Sequence, residues 1–185
     1  QALSGNACHS TAGIVRSVNL KIAGDKFNTD IIGYLRDEFK LLIGEKTAES
    51  VKIAIGSVAP GEPMEAEVRG RDLVTGLPRE VVITDADIRE AMGQSILGLI
   101  DGIKEVLETT PPEILGDIMH RGIVLSGGGA MLHGLDTLLQ NMLKIPVTVT
   151  EDPLTAVARG AGIVLEDLEY YKEVLLPDYD TERSK

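Results

Sequence analysis

The stretch GIVLSGGGAML, residues 122–132, sets three glycines between a short apolar run and an apolar-periodic segment. Ile123 to Leu125 read as a strand, and Met131 to Leu143 read as a helix. Val147 to Thr150 read as a second strand, Asp152-Pro153 as a break, and Leu154 to Leu165 as a further helix. This strand–helix–strand–helix order predicts parallel strands covered by helices. Gly127, Gly128 and Gly129 stand at the C-terminal end of the first strand, where open α/β sheets bind their ligands. A glycine has no Cβ to keep a ligand off the main chain, and the N–H groups that open a helix attract anions. The chemical reading is a backbone cradle for a nucleotide. The plain reading is a tight strand-to-helix turn, and the motif by itself leaves both standing. No GK[ST] follows the glycines and no GxGxxG is present, so this is neither a P-loop nor a dinucleotide fingerprint. Ser126 lacks the GxSxG setting of a nucleophile elbow.

Upstream, Val18, Leu20 and Ile22 alternate with polar residues and predict a strand broken at Gly24-Asp25. Phe27, Ile31, Leu35 and Phe39 recur every four residues and predict a helix capped by Asp25 and ended by Gly44. EKTAESVKIAIG, from Glu45, predicts a shorter helix stopped by Gly56 and Pro60. Met64, Ala66 and Val68 alternate with charges, and Thr75-Gly76 with Pro78 marks a turn before Val81 to Ile83. Together these predict a hairpin. Thr84 to Asp87 look like a cap for a long helix striped by Ile88, Met92, Ile96, Leu99, Ile103 and Leu107. Thr110, Pro111 and Glu113 predict a second capped start. The tail after Glu166 starts helix-like and ends polar.

Glu49 and Lys52 lie three apart, hence on one helix face. A carboxylate can accept from ribose hydroxyls, and an ammonium can sit by a phosphate or a purine edge. Spacing alone favours a solvated ion pair.

The chain has 185 residues and a net charge of −11, enough length for a core and the wrong sign for nucleic acid or an anionic membrane as main partner. Cys8 is the single cysteine, so neither a disulfide framework nor a CxxC metal site is expected, and a reducing cytoplasm is the default. His9, His120 and His133 share no metal-ligand spacing. Neither a signal peptide nor a run of membrane-spanning length is expected.

Three stretches decide more together than apart. LLIGEKTAESVKIAIGS is followed by GRDLVTGLPR and TPPEILGDIMHRGIVLSGGGAMLHGLDTLL, and these by EDPLTAVARGAG. In this order they closely resemble the C-terminal half of the MreB family, the bacterial actins that organise cell-wall synthesis in rod-shaped cells. The resemblance runs from about Gly13 to about Leu165. It implies an actin-like ATPase fold of two lobes, with ATP and Mg²⁺ in the cleft between them. The chain resembles the second lobe: an inner ribonuclease-H-like subdomain, residues 1–24 and 86–185, with a smaller outer α+β subdomain inserted at residues 25–85. By resemblance the nucleotide site includes Glu49, Ser50, Val51 and Lys52 on one segment and Gly127, Gly128, Gly129 and Ala130 on the other.

The resemblance further implies self-association into filaments, partners such as the membrane morphogen RodZ, and a cytoplasmic, membrane-associated location for the intact family. Membrane contact belongs there to the first lobe. Before Gly13 the family carries a GGGT-type phosphate loop, whereas this chain reads QALSGNACHST without apolar alternation. The expectation is therefore an unpaired sheet edge at that end. With no recognisable catalytic apparatus, the chain alone is expected to hydrolyse ATP poorly or not at all. Two other functions remain open: a sugar-kinase-like or phosphatase enzyme of the same superfamily, and a folded, inactive remnant that caps filaments.

Overall fold

The computed structural model describes residues 4–10 and 13–171. The side chains before Val15, those of Cys8 and His9 included, lie outside the described residues, as does the tail after Tyr171.

The first two strands, β1 (Ser4–Ser10) and β2 (Gly13–Leu20), form an antiparallel pair. The stretch before Gly13 is thus a paired strand, although among the described residues the sheet has only these two strands and so keeps open edges. Laddering uses backbone groups that every residue carries, so a stretch without apolar alternation still pairs.

Helix α1 (Gly24–Glu38) buries Phe27, Ile31 and Leu35 as the spacing predicts. Its N-cap is Ala23, so Asp25 sits inside the first turn, where its charge complements the helix dipole, and is not the cap. The helix ends at Glu38 with Phe39 as C-cap, earlier than Gly44. The chain must turn there, because strand β3 (Leu41–Leu42) pairs antiparallel with Arg71 and Asp72 and buries Leu41 completely. Lys40 makes the turn with φ +53°, and Gly44 becomes the N-cap of α2 (Glu45–Ile55).

Strands β4 (Glu65–Asp72) and β5 (Pro78–Thr84) form the expected hairpin, giving a three-stranded sheet in the order β3-β4-β5. Helix α3 (Asp85–Glu108) opens with a complete capping box. Thr84 Oγ1 accepts from the Asp87 N–H, and Asp87 Oδ2 accepts from the Thr84 N–H. Helices α1, α2 and α3 pack on one another and on this sheet, enclosing Ile31, Leu35, Val68, Ile83, Ile88, Met92 and Ile100.

Thr110 is not a cap. Its hydroxyl donates back to Val106 O at 2.6 Å, closing the end of α3, and Pro111 is the N-cap of α4 (Pro112–Arg121). Strands β6 (Ile123–Leu125) and β7 (Val147–Val149) pair in parallel, as expected. Between them lies a 3₁₀ turn, Gly128–Met131, and then α5 (Leu135–Leu143). Helix α5 thus begins four residues after Met131. The cause is long-range: the His133 N–H donates to Gly56 O and His133 O accepts from the Val58 N–H, both on the chain leaving α2, so this segment is extended and not helical. The last helix, α6 (Ala156–Glu166), starts after a turn at Asp152 with φ +48°.

Candidate functional site

Helix α2 buries Ala48, Val51 and Ile55, with Lys52 at the edge of that stripe. The i, i+3 spacing puts Glu49 beside Lys52, and Lys52 Nζ lies 2.7 Å from Glu49 Oε2. Packing of α1 on α2 adds a residue that the spacing did not reveal. Asn28, 8% exposed, donates through Nδ2 to Glu49 Oε2 at 2.7 Å and accepts at Oδ1 from Lys52 Nζ at 3.0 Å. Lys52 also donates to Gly24 O at 3.3 Å. An ammonium has three donors, and all three have acceptors within this chain. Lys52 therefore reaches a ligand only by giving up a bond, of which the one to Gly24 is longest.

Glu49 differs. Both bonds fall on Oε2, and its side chain is 46% exposed. Among the described residues none donates to Oε1. The Lys52 hydrogen bond holds the Glu49 carboxyl below the ordinary glutamate value of 4.5, against desolvation and with help from Asn28. A lowered folded-state value stabilises the fold above the unfolded value and is lost as the pH falls through the folded one. The stability difference between wild type and Glu49→Gln should therefore hold constant at neutral pH and narrow as the pH drops below 4.5. Paired melts from pH 7 downward check this, and a difference that widens in acid would contradict it.

Ser50 and Val51 do not join the cluster. Ser50 Oγ donates to Lys46 O in its own helix, and Val51 is in the core.

The glycine loop is open. Gly127 has φ +84°, and its N–H donates to Pro153 O at 2.8 Å. Gly128 and Gly129 begin the 3₁₀ turn and are exposed, so their N–H groups have no partner within the turn. A Cβ at Gly127 or Gly129 would meet nothing within 4 Å, and at Gly128 only Leu154 Cδ2 at 3.5 Å. Packing inside this chain does not require Gly128 or Gly129. Ala130 is buried and bonded to Gly127 O. The glycines therefore belong to a 3₁₀ turn and not to the start of α5.

The two segments share one frame. Beyond α2, Gly56 O accepts from the His133 N–H at 3.2 Å, and the Val58 N–H donates to His133 O at 2.9 Å. Leu132 and His133 directly follow the glycine turn, so a short backbone zipper ties the end of the Glu49 helix to the exit of that turn.

A sequence profile of the MreB/Mbl protein family matches residues 4–173. The chain belongs to the MreB/Mbl family. Among MreB/Mbl relatives, the cell shape-determining protein Mbl of Bacillus cereus is 48% identical over 161 residues, covering 86% of this chain and 48% of the relative. The cell shape-determining protein MreB of Escherichia coli is 46% identical over 163 residues, covering 88% and 47%. MreB5 of Spiroplasma citri, solved bound to AMPPNP, superposes with a TM-score of 0.88 at 36% identity, covering 92% of this chain and 52% of that one. The fold is that of the actin-like MreB proteins. The chain spans about half the length of the curated MreB/Mbl relatives it matches. The match begins at residue 4, so the family likeness takes in the β1–β2 hairpin as well. Among the described residues no helix is long and apolar enough to cross a membrane.

Proposed function

We propose that this chain forms the nucleoside-binding second lobe of an actin-like, ATP-dependent cytoskeletal protein that polymerises and directs cell shape and wall synthesis. In this reading residues 25–85 form the outer subdomain, and residues 1–24 with 86–185 form the inner one. The observation that carries it is the shared frame: a fixed carboxylate with an open oxygen on α2, zipped to an open glycine turn. Glu49 accepts from the ribose hydroxyls. Lys52 holds that carboxylate and supplies positive charge. Gly128 and Gly129 let the nucleotide lie against main-chain N–H groups. ATP would supply the energy-rich phosphate, and Mg²⁺ would come with it. Among the described residues no cluster of three or more His, Cys, Asp or Glu would hold a metal alone, so the ion is assigned no ligand in this chain.

The names of the relatives support the cellular role, and the nucleotide carried by Spiroplasma MreB5 supports the ligand. The proposed role extends to filament formation, contact with RodZ-like membrane partners and a cytoplasmic, membrane-associated location; MamK, a more distant neighbour solved as a filament, and the cell-shape names of the relatives support the first of these.

Melting the full chain with and without Mg·ATP tests the site. At a hundredfold excess over Kd a ligand that binds only the folded state adds about 2.7 kcal/mol, a rise of roughly 5–10 °C for a chain of this size. Gly128→Val should abolish the shift while leaving the ligand-free midpoint close to wild type, because the space beside Gly128 is open. A cooperative wild-type melt that ATP does not move would overturn the reading.

A further inference from the structure

We infer that Asn28 is a positioning residue that makes this site select a ribonucleoside over its 2′-deoxy counterpart, acting through the Glu49 carboxylate. The inference rests on the nucleotide reading above and deepens it.

Asn28 lies on the face of α1 that carries Ile31 and Leu35, three and seven residues on, and it is as buried as they require. An amide buried there costs free energy unless both its ends are bonded. Both are. The orientation follows from chemistry: an ammonium cannot accept and a carboxylate cannot donate, so Oδ1 must face Lys52 and Nδ2 must face Glu49. The three side chains close a ring, since Lys52 also bonds Glu49 Oε2.

The ring gives the carboxylate a direction. Lysine alone is a compact charge on a flexible stem and attracts a carboxylate without orienting it. Asn28 adds a second donor to the same oxygen from a different helix, and two donors from different directions resist rotation. Oε2 is thereby occupied, and Oε1 is left as an ionised, acceptor-only atom on a side chain that is nearly half exposed. Such an atom recognises hydroxyl donors. Ribose presents adjacent 2′ and 3′ hydroxyls, whereas deoxyribose lacks the first. A site built to bond a hydroxyl rejects the analogue lacking it, because its own polar group is left unpaired.

The test is equilibrium binding of Mg·ATP and Mg·2′-dATP to the full chain as wild type, Asn28→Ala, Asn28→Asp and Glu49→Gln. Wild type should prefer ATP by roughly tenfold, the worth of one good hydrogen bond at a half-exposed group. Asn28→Ala should lower ATP affinity and leave 2′-dATP nearly unchanged, bringing the ratio close to one. Asn28→Asp keeps the volume but turns a donor into a second carboxylate, and it should also collapse the ratio. It decides the matter if Asn28→Ala does not melt cooperatively. Glu49→Gln should abolish the preference outright. A wild type that binds both nucleotides equally overturns the inference while the nucleotide reading stands. So do Asn28 variants that weaken ATP and 2′-dATP by the same factor, since loosened packing alone would do that. A wild type that binds neither nucleotide overturns both.

Discussion

Ile31→Ala should lower the stability of the chain by about 3 kcal/mol, within the range for deleting a fully buried isoleucine. Ile31 is 0% exposed and lies in the core where α1 packs on α2 and α3. The cost has two parts: the apolar transfer energy of the lost atoms, and the cavity left when three packed helices cannot fully collapse. For a chain of this length such a loss lowers the melting midpoint by roughly 6–12 °C. Thermal or urea unfolding measures it. A change below about 1 kcal/mol would mean that the helices close over the cavity. Ile31 is also one turn from Asn28, so the same variant should loosen the Asn28–Glu49–Lys52 ring and weaken nucleotide binding beyond its effect on the fold.

The second large effect is expected at Gly122. Its backbone has φ +84° and ψ −174°, a region that side chains other than glycine rarely enter. A Cβ there would stand 2.6 Å from the Pro146 carbonyl oxygen. That oxygen accepts the Ile123 N–H at 2.8 Å, the bond that begins the β6–β7 ladder. Gly122→Ala therefore combines backbone strain with a clash against main chain that cannot rotate away. The expected cost is about 2–4 kcal/mol. Gly127 is the internal control. It has the same φ of +84°, but its Cβ would meet nothing within 4 Å. Gly127→Ala should then cost only the conformational part, about 1–2 kcal/mol. Equal midpoints for the two variants would refute the assignment of the extra cost to Pro146.

Local pattern was legible where one element carries its own signal. The four-residue spacing of Phe27, Ile31 and Leu35 specifies a buried helix face, and the structure buries all three. The Thr84–Asp87 capping box needs only neighbouring residues and appears as expected. The hairpin after Met64 was marked by alternation and by the Thr75-Gly76 turn. The errors fall where a distant partner overrides a local preference. Leu41 and Leu42 leave the helix because Asp72 and Arg71 pair with them. Leu132 to Gly134 stay out of α5 because the chain beyond α2 claims the His133 backbone.

The candidate site divides in the same way. Glu49 and Lys52 were legible from their spacing, and the glycines from their position after a strand. Asn28 was missed, although one signal existed: a polar residue three and seven positions before Ile31 and Leu35 sits on a buried face and must find partners there.

The sequence by itself determined the helices, the hairpin, the parallel strand pair and membership in an actin-like family. Periodicity, turn chemistry and motif order are properties of neighbouring residues. Only the tertiary structure decided that Asn28 clamps Glu49 and Lys52, that the glycine turn is 3₁₀ with open space above it, and that the two segments share a backbone zipper. The clamp and the zipper each join residues more than 20 positions apart, and such pairings depend on how helices and strands pack, which no local window of sequence contains.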